Sequence, residues 1–201
     1  MPQEVFTVGH SSGTIEQFLE LLALHGIQVL VDVRSSPYSK FAGQFNREPL
    51  KQALKKAGLF YLFLGDALGG MPADRRFYDE DGYVLYRRIA ETPAFREAVD
   101  RLLKGLEKHR TVLMCGEENP QGCHRHLLIA RVLREKGVQV RHIRGDGRVE
   151  SEEDLCRKDG LGTRDNPDQN ILFLGLEAPQ QWRSLKPVPR QRSEDSGWTE
   201  E

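Results

Sequence analysis

The sequence has 201 residues, 29 basic and 30 acidic, with a formal net charge of −1, and 38% of them are hydrophobic. That length fits one compact domain with residues left for a tail, and the apolar content suffices for one core and argues against wholesale disorder. The near-neutral balance excludes a bulk polycation, no apolar run reaches the ~18–20 residues that cross a bilayer, the start Met1–Gly13 does not read as a secretory signal, and three cysteines suit a reducing, cytoplasmic compartment better than a disulfide scaffold.

In chain order the pattern alternates strand and helix. Val5–Val8 is a short β-prone run ended by Gly9. Thr14 with Gln17 three residues on is a capping box. It opens a helix with Ile15, Phe18, Leu21 or Leu22, and Leu24 as its inward set, closed by Gly26. Val29–Val33 is a continuous apolar run broken only by Asp32, as in a strand buried on both faces. Pro49 suits the first turn of a helix that runs to Ala57 and stops at Gly58. Leu59–Leu64 is a third strand, and Gly65–Gly82 reads as a long loop. Thr92-Pro93 starts an amphipathic helix carrying Phe95, Val99, Leu102, Leu103 and Leu106. Thr111–Met114 is a fourth strand, His124–Lys136 a helix closed by Gly137, and Val138–Ile143 a fifth strand.

This order predicts an α/β three-layer sandwich, doubly wound around a mostly parallel sheet of about five strands. Residues 1–160 form that domain. Residues 161–183, with the apolar run Ile171–Leu174, are an extension packing on it, and 184–201, rich in Pro, Ser and charge, are a disordered tail. The oligomeric state is open.

In such sheets ligands bind at the carboxyl ends of the strands. His10 and Ser11 follow the first strand, Asp32 and Arg34 end the second, and Cys115, Gly116 and Glu117 follow the fourth. Asp32 and Arg34 share a strand face, and a buried carboxylate needs a partner; the pair orients a substrate or ties down a loop. After Cys115 a turn-rich segment leads to Cys123, His124 and Arg125 at a helix entrance. Free N–H groups there lower a thiol's pKa or cradle an anion, with Arg125 as clamp and Arg47 as a second contact. Both cysteines also fit small buried core residues; Cys156, in a polar stretch, is read as structural. No metal is assigned: seven residues between Cys115 and Cys123 is not a zinc-ribbon spacing, and His124 and His126, two apart, face one ion poorly. Residues 121–148 hold seven Arg/Lys against two acids, which is either a solvated face or a site for an anion.

The segments V-G-H-S, L-V-D-V-R-S-S-P, F-N-R-E, L-G-G, M-C-G-E and C-H-R-H resemble, in order, a prokaryotic family named for domain of unknown function 488. The resemblance runs from about Thr7 to about Leu155 and includes D-G-R-V-E-S at Asp146–Ser151. It implies no activity. Its motif residues are His10, Ser11, Asp32, Arg34, Asn46, Arg47, Gly69, Gly70, Cys115, Glu117, Cys123, His124 and Arg125. A weaker likeness is to rhodanese-like domains and cysteine phosphatases, with Cys115 as nucleophile and Arg125 as anion binder, although the loop between them is longer than either family uses. The resulting expectation is an enzyme, without cofactor, acting on a small phosphorylated ligand, a nucleotide or nucleic acid. Cys115, Cys123, Asp32, Glu117 and His10 do the chemistry, and Ser11, Arg34, Asn46, Arg47, His124 and Arg125 hold the substrate. Sulfur transfer and a non-catalytic nucleic-acid-binding module are the alternatives. No membrane partner is expected.

Overall fold

The computed structural model describes residues 3–158 and 182–188. Six strands form one sheet: β1 Glu4–Gly9, β2 Val29–Asp32, β3 Phe60–Phe63, β4 Thr111–Cys115, β5 Gln139–Ile143 and β6 Val149–Ser151, in the order β3-β2-β4-β1-β5-β6. The first five are parallel, and β6 joins β5 antiparallel as an edge strand. The apolar runs follow from this arrangement, because strands covered on both faces have no solvent side to make polar.

Alternate residues feed two cores. Val5, Val31, Leu113 and Val140 face one layer, and Phe6, Leu30, Val112 and Met114 the other. The second layer is made by α1 (Ile15–Leu24) and α2 (Arg47–Lys56), which bury Phe18, Leu22, Leu50 and Leu54. The Thr14–Gln17 capping box forms in both directions, and Gly26 accepts the left-handed φ of 61° that ends α1. Leu24 is 69% exposed, against the expected inward position; two residues from Leu22, it is rotated ~200° around the helix.

The first layer holds α5 (Pro93–Leu106) and the helix after β4. The stretch read as one loop, Gly65–Gly82, instead folds partly into α3 (Gly65–Leu68) and a 3-10 turn at Arg75–Phe77. A short helix, α4 (Tyr86–Ala90), precedes α5. The predicted helix from His124 begins with wide π turns, Arg125–Ala130, before α6 (Arg131–Glu135). Widening of this kind is common at functional sites. At the start of this helix His124, Arg125 and His126 reach different partners. After β6 comes α7 (Glu152–Lys158), which buries Glu152, Leu155 and Cys156.

Trp182–Val188 lies against α4 and the turn before it: Ser184 N donates to Val84 O at 2.9 Å and Arg183 pairs with Asp79 at 2.6 Å. Ser184–Val188, assigned by composition to the tail, is held in this way. The apolar run Ile171–Leu174 and the tail from residue 189 fall outside the described residues. Among the described residues, no helix is long and apolar enough to cross a membrane.

Candidate active site

The parallel register sets Gly9 beside Cys115, so the chain leaving β1 runs along the chain leaving β4. His10 N donates to Cys115 O at 3.0 Å and Ser11 N to Gly116 O at 2.9 Å. Gly9 is required by this closeness: a Cβ there would lie 1.8 Å from Glu117 O.

The β2 end is saturated. Asp32, fully buried, accepts from Arg34 Nε at 2.9 Å, Arg34 Nη2 at 2.7 Å, the Arg34 backbone N–H at 3.1 Å and the Tyr61 hydroxyl at 2.9 Å. Burial, then the Asp32 carboxylate, pushes the Tyr61 phenol up. Arg34 Nη2 also donates to Phe45 O at 2.8 Å, and Nη1 to Nε2 of His10 at 3.2 Å. His10 therefore keeps its proton on Nδ1, which donates to Ser11 O at 2.7 Å, and stacks on Phe45 at 4.3 Å. Burial lowers its pKa, with Arg34 acting in the same direction. The cluster is a ready-made wall rather than a set of free acids and bases.

At the β4 end the two cysteines come together. Cys123 Sγ and Cys115 Sγ lie 3.7 and 3.8 Å from His124 Nδ1, and His124 Nε2 donates to Val33 O at 2.9 Å, which fixes Nδ1 as the unprotonated nitrogen of the neutral ring. The hydrogen bond from Cys123 brings the Cys115 thiol down to about 7 against burial, helped by the Arg125 charge. Burial pushes the Cys123 thiol up, as does its neighbour. The pair thus releases one proton readily and holds the second. Glu117 is exposed, but partial burial of its carboxyl, then the proximity of Cys123, raises its pKa.

Arg125 is fully buried. Its Nε donates to Cys123 Sγ at 3.2 Å, Nη1 to Thr7 Oγ1 at 3.3 Å, and Nη2 to the carbonyls of Glu117 and Glu118. It faces inward, where the sequence suggested a clamp for an external anion. Beneath it lies a buried network. Thr7 Oγ1 is 2.7 Å from His142 Nδ1, His142 Nε2 is 2.7 Å from Glu152 Oε2, and His126 Nδ1 is 2.9 Å from both Glu152 oxygens. His124 and His126 thus serve separate clusters. The ligand atoms of Cys115, Cys123 and His124 lie within 4.8 Å of one another, as do those of His126, His142 and Glu152.

The remaining candidates lie at the rim. Arg47 is exposed and stacks on Phe63 at 4.6 Å. Asn46 Oδ1 accepts from Ser39 N at 2.6 Å, bracing the loop that carries Tyr38 and Phe41. Ser11 is exposed with φ 51°. The basic stretch is largely neutralised in place: Arg141 pairs with Glu4, Arg144 with Glu118 and Glu150, Arg148 with Asp146 and Lys136 with Asp100. Thr7, Tyr61, His142 and Glu152 were not anticipated. Thr7 carries the signal that marked Asp32, a polar residue inside an apolar strand; His142 has no such signal, since its strand already alternates polar and apolar residues.

Gly70 packs on His124; a Cβ there would sit 2.6 Å from its Cβ and Cγ, whereas one at Gly122 would meet nothing within 4 Å. Gly70→Ala should therefore cost about 1–3 kcal/mol by overpacking. Gly122→Ala should be near neutral. Paired denaturant melts check this, and equal midpoints would refute it.

A family model described as Domain of unknown function DUF488 matches residues 14–132, a narrower span than the likeness read from the motifs. No curated protein and no solved structure gives a significant match.

Proposed function

Since the chain belongs to the family described as Domain of unknown function DUF488, a description that supplies no reaction, we propose from the site itself that it is an enzyme working through a thiolate-bearing cleft on a nucleotide or nucleic-acid end. One observation carries this reading. Among the described residues the buried guanidinium of Arg125 meets no carboxylate; its partners are the Cys123 sulfur, a hydroxyl and two carbonyls. A buried charge without a counter-charge costs several kcal/mol. A thiolate shared by Cys123 and Cys115 is the counter-charge at hand, so the pocket suits negative sulfur.

Glu117, hydrogen-bonded to Cys123, is the group placed to move a proton. Arg34 and Arg125 serve the walls and the sulfur. The phosphate of a substrate is left to Arg47 at the rim, where Phe41 is 100% and Tyr38 65% exposed on the adjoining loop, able to stack on a base. Alkylation mapped by mass spectrometry to each cysteine tests the proposal. Cys115 should react in the folded, chelator-treated protein, and a nucleoside monophosphate should protect it better than inorganic phosphate. Cysteines inert until unfolding would overturn it.

Sulfur transfer is the second reading, favoured by the position of Cys115 at the end of a parallel strand with a second thiol at hand. It predicts thiosulfate:cyanide turnover that disappears with Cys115→Ala.

A further inference from the structure

The seven residues separating Cys115 from Cys123 form a loop that the fold closes. Gly9 and Arg125 hold its backbone at Glu117, and Cys123 returns to Cys115. The two sulfurs and His124 Nδ1 then lie within 4.8 Å of one another, with the nitrogen 3.8 and 3.7 Å from the sulfurs. Those separations are long for S–H···N hydrogen bonds. They suit ligands of one tetrahedral zinc ion, whose bonds of ~2.3 Å to sulfur and ~2.0–2.1 Å to nitrogen set S and N about 3.6 Å apart.

The surroundings agree. His124 donates its other ring N–H to the carbonyl of Val33 at 2.9 Å, the outer hydrogen bond that metal-bound imidazoles use to aim their lone pair. Arg125 Nε donates to Cys123 Sγ at 3.2 Å and offsets thiolate charge. Cys123 and His124 are buried, whereas Cys115 is half-buried and Glu117 exposed, so the trio has one side toward the cleft.

We propose that Cys115, Cys123 and His124 bind a single zinc ion whose fourth position opens to the cleft beside Glu117. This deepens the thiolate reading of the cleft and rests on it. Three protein ligands with one open position is the catalytic rather than the structural zinc pattern. A carboxylate beside that position, not itself a ligand, is how hydrolytic zinc sites handle the proton of bound water.

The other group of three does not compete. Its N···O separations of 2.7–2.9 Å are those of hydrogen bonds, shorter than the ~3.3 Å between ligands of a tetrahedral zinc ion. Its protons also balance: the Thr7 hydroxyl donates to His142, and both histidines donate to Glu152.

The test is cobalt titration of the full, chelator-treated chain, read by absorbance. One equivalent should give tetrahedral visible bands and a thiolate-to-cobalt charge-transfer band, and one equivalent of zinc should displace it. Cys123→Ser should reduce the charge-transfer band and weaken binding by at least about tenfold. His124→Asn should weaken binding similarly while keeping the charge-transfer band, and Cys156→Ser should change nothing. Binding without charge transfer, or binding lost in His142→Gln but kept in Cys123→Ser, would overturn the assignment. Rapid alkylation of Cys115 in chelator-treated protein without any cobalt spectrum would reject the metal and leave the thiolate reading; inert cysteines in that protein would reject both.

Discussion

In metal-free protein, alkylation of Cys115 should follow a thiolate with its midpoint near pH 7, and Cys123→Ala should move that midpoint upward. The Cys115 thiol stands at about 7 chiefly because Cys123 donates a hydrogen bond to the sulfur; burial opposes this, and Arg125 and the N–H groups of Glu117 and Gly116 assist. At pH 7 about half of such a thiol is ionised, against about 3% of a free one with pKa ~8.5. The rate gain is smaller, because a less basic thiolate is a weaker nucleophile; a ~15-fold gain in thiolate becomes roughly threefold in rate. The midpoint is therefore the quantity to measure. Cys156 is an internal control, since burial, then the Glu152 charge, pushes its thiol up to about 12, and it should stay silent throughout. A midpoint unmoved by Cys123→Ala would transfer the effect to Arg125 and the loop N–H groups, and Cys123 would lose its place as partner.

The sequence makes the strand ends legible because β/α alternation puts them on one edge whatever the details. His10, Asp32, Arg34, Cys115 and Glu117 were read from that rule, and the sheet gathers them. Their partners are harder to read, since a contact across the sheet has no sequence spacing. The Asp32–Arg34 pairing follows from two-residue alternation, but the Tyr61 and Phe45 contacts depend on β3 and the α2 entrance. Arg125 shows the limit of charge counting: an arginine at a helix mouth looks like an anion clamp, yet it is fully buried and turned onto Cys123. The π turns at Arg125–Ala130 leave no mark in a 3.6-residue pattern, because Leu127, Leu128, Ile129 and Ala130 are all buried. The short elements α3, α4, β6 and α7 are fixed by packing rather than by periodicity. Glu152 was the least visible: an acid in an acidic stretch reads as solvated, and only α7 docking on β5 sends it inward.

That buried carboxylate sets the second large expectation. Glu152→Ala leaves His126 Nδ1, His142 Nε2 and the Cys156 thiol facing a void. Removing one member of such a buried set costs about 3–5 kcal/mol, a fall in melting temperature on the order of 10 °C for a domain this size. The pH dependence separates this loss from simple cavity formation. Burial lowers the His142 pKa, with Glu152 partly opposing. The unfolded chain therefore takes up that proton first, and stability falls as pH drops through the ordinary histidine value of ~6.5. Burial pushes the Glu152 carboxyl up, but hydrogen bonds from His126 and His142 outweigh it and hold the group below its ordinary value. Its contribution is present above the ordinary carboxylate pKa of ~4.3 and is lost as pH falls through the depressed folded value. Wild-type stability should thus fall in two steps on acidification. In Glu152→Ala the step near pH 6.5 should steepen, because nothing then opposes desolvation of the imidazolium, and the lower step should shrink. The difference between the two urea-denaturation curves, measured from pH 3.5 to 8, reports both terms. Parallel curves would mean that Glu152 is neutral in the folded protein and that its two histidines are held by packing alone.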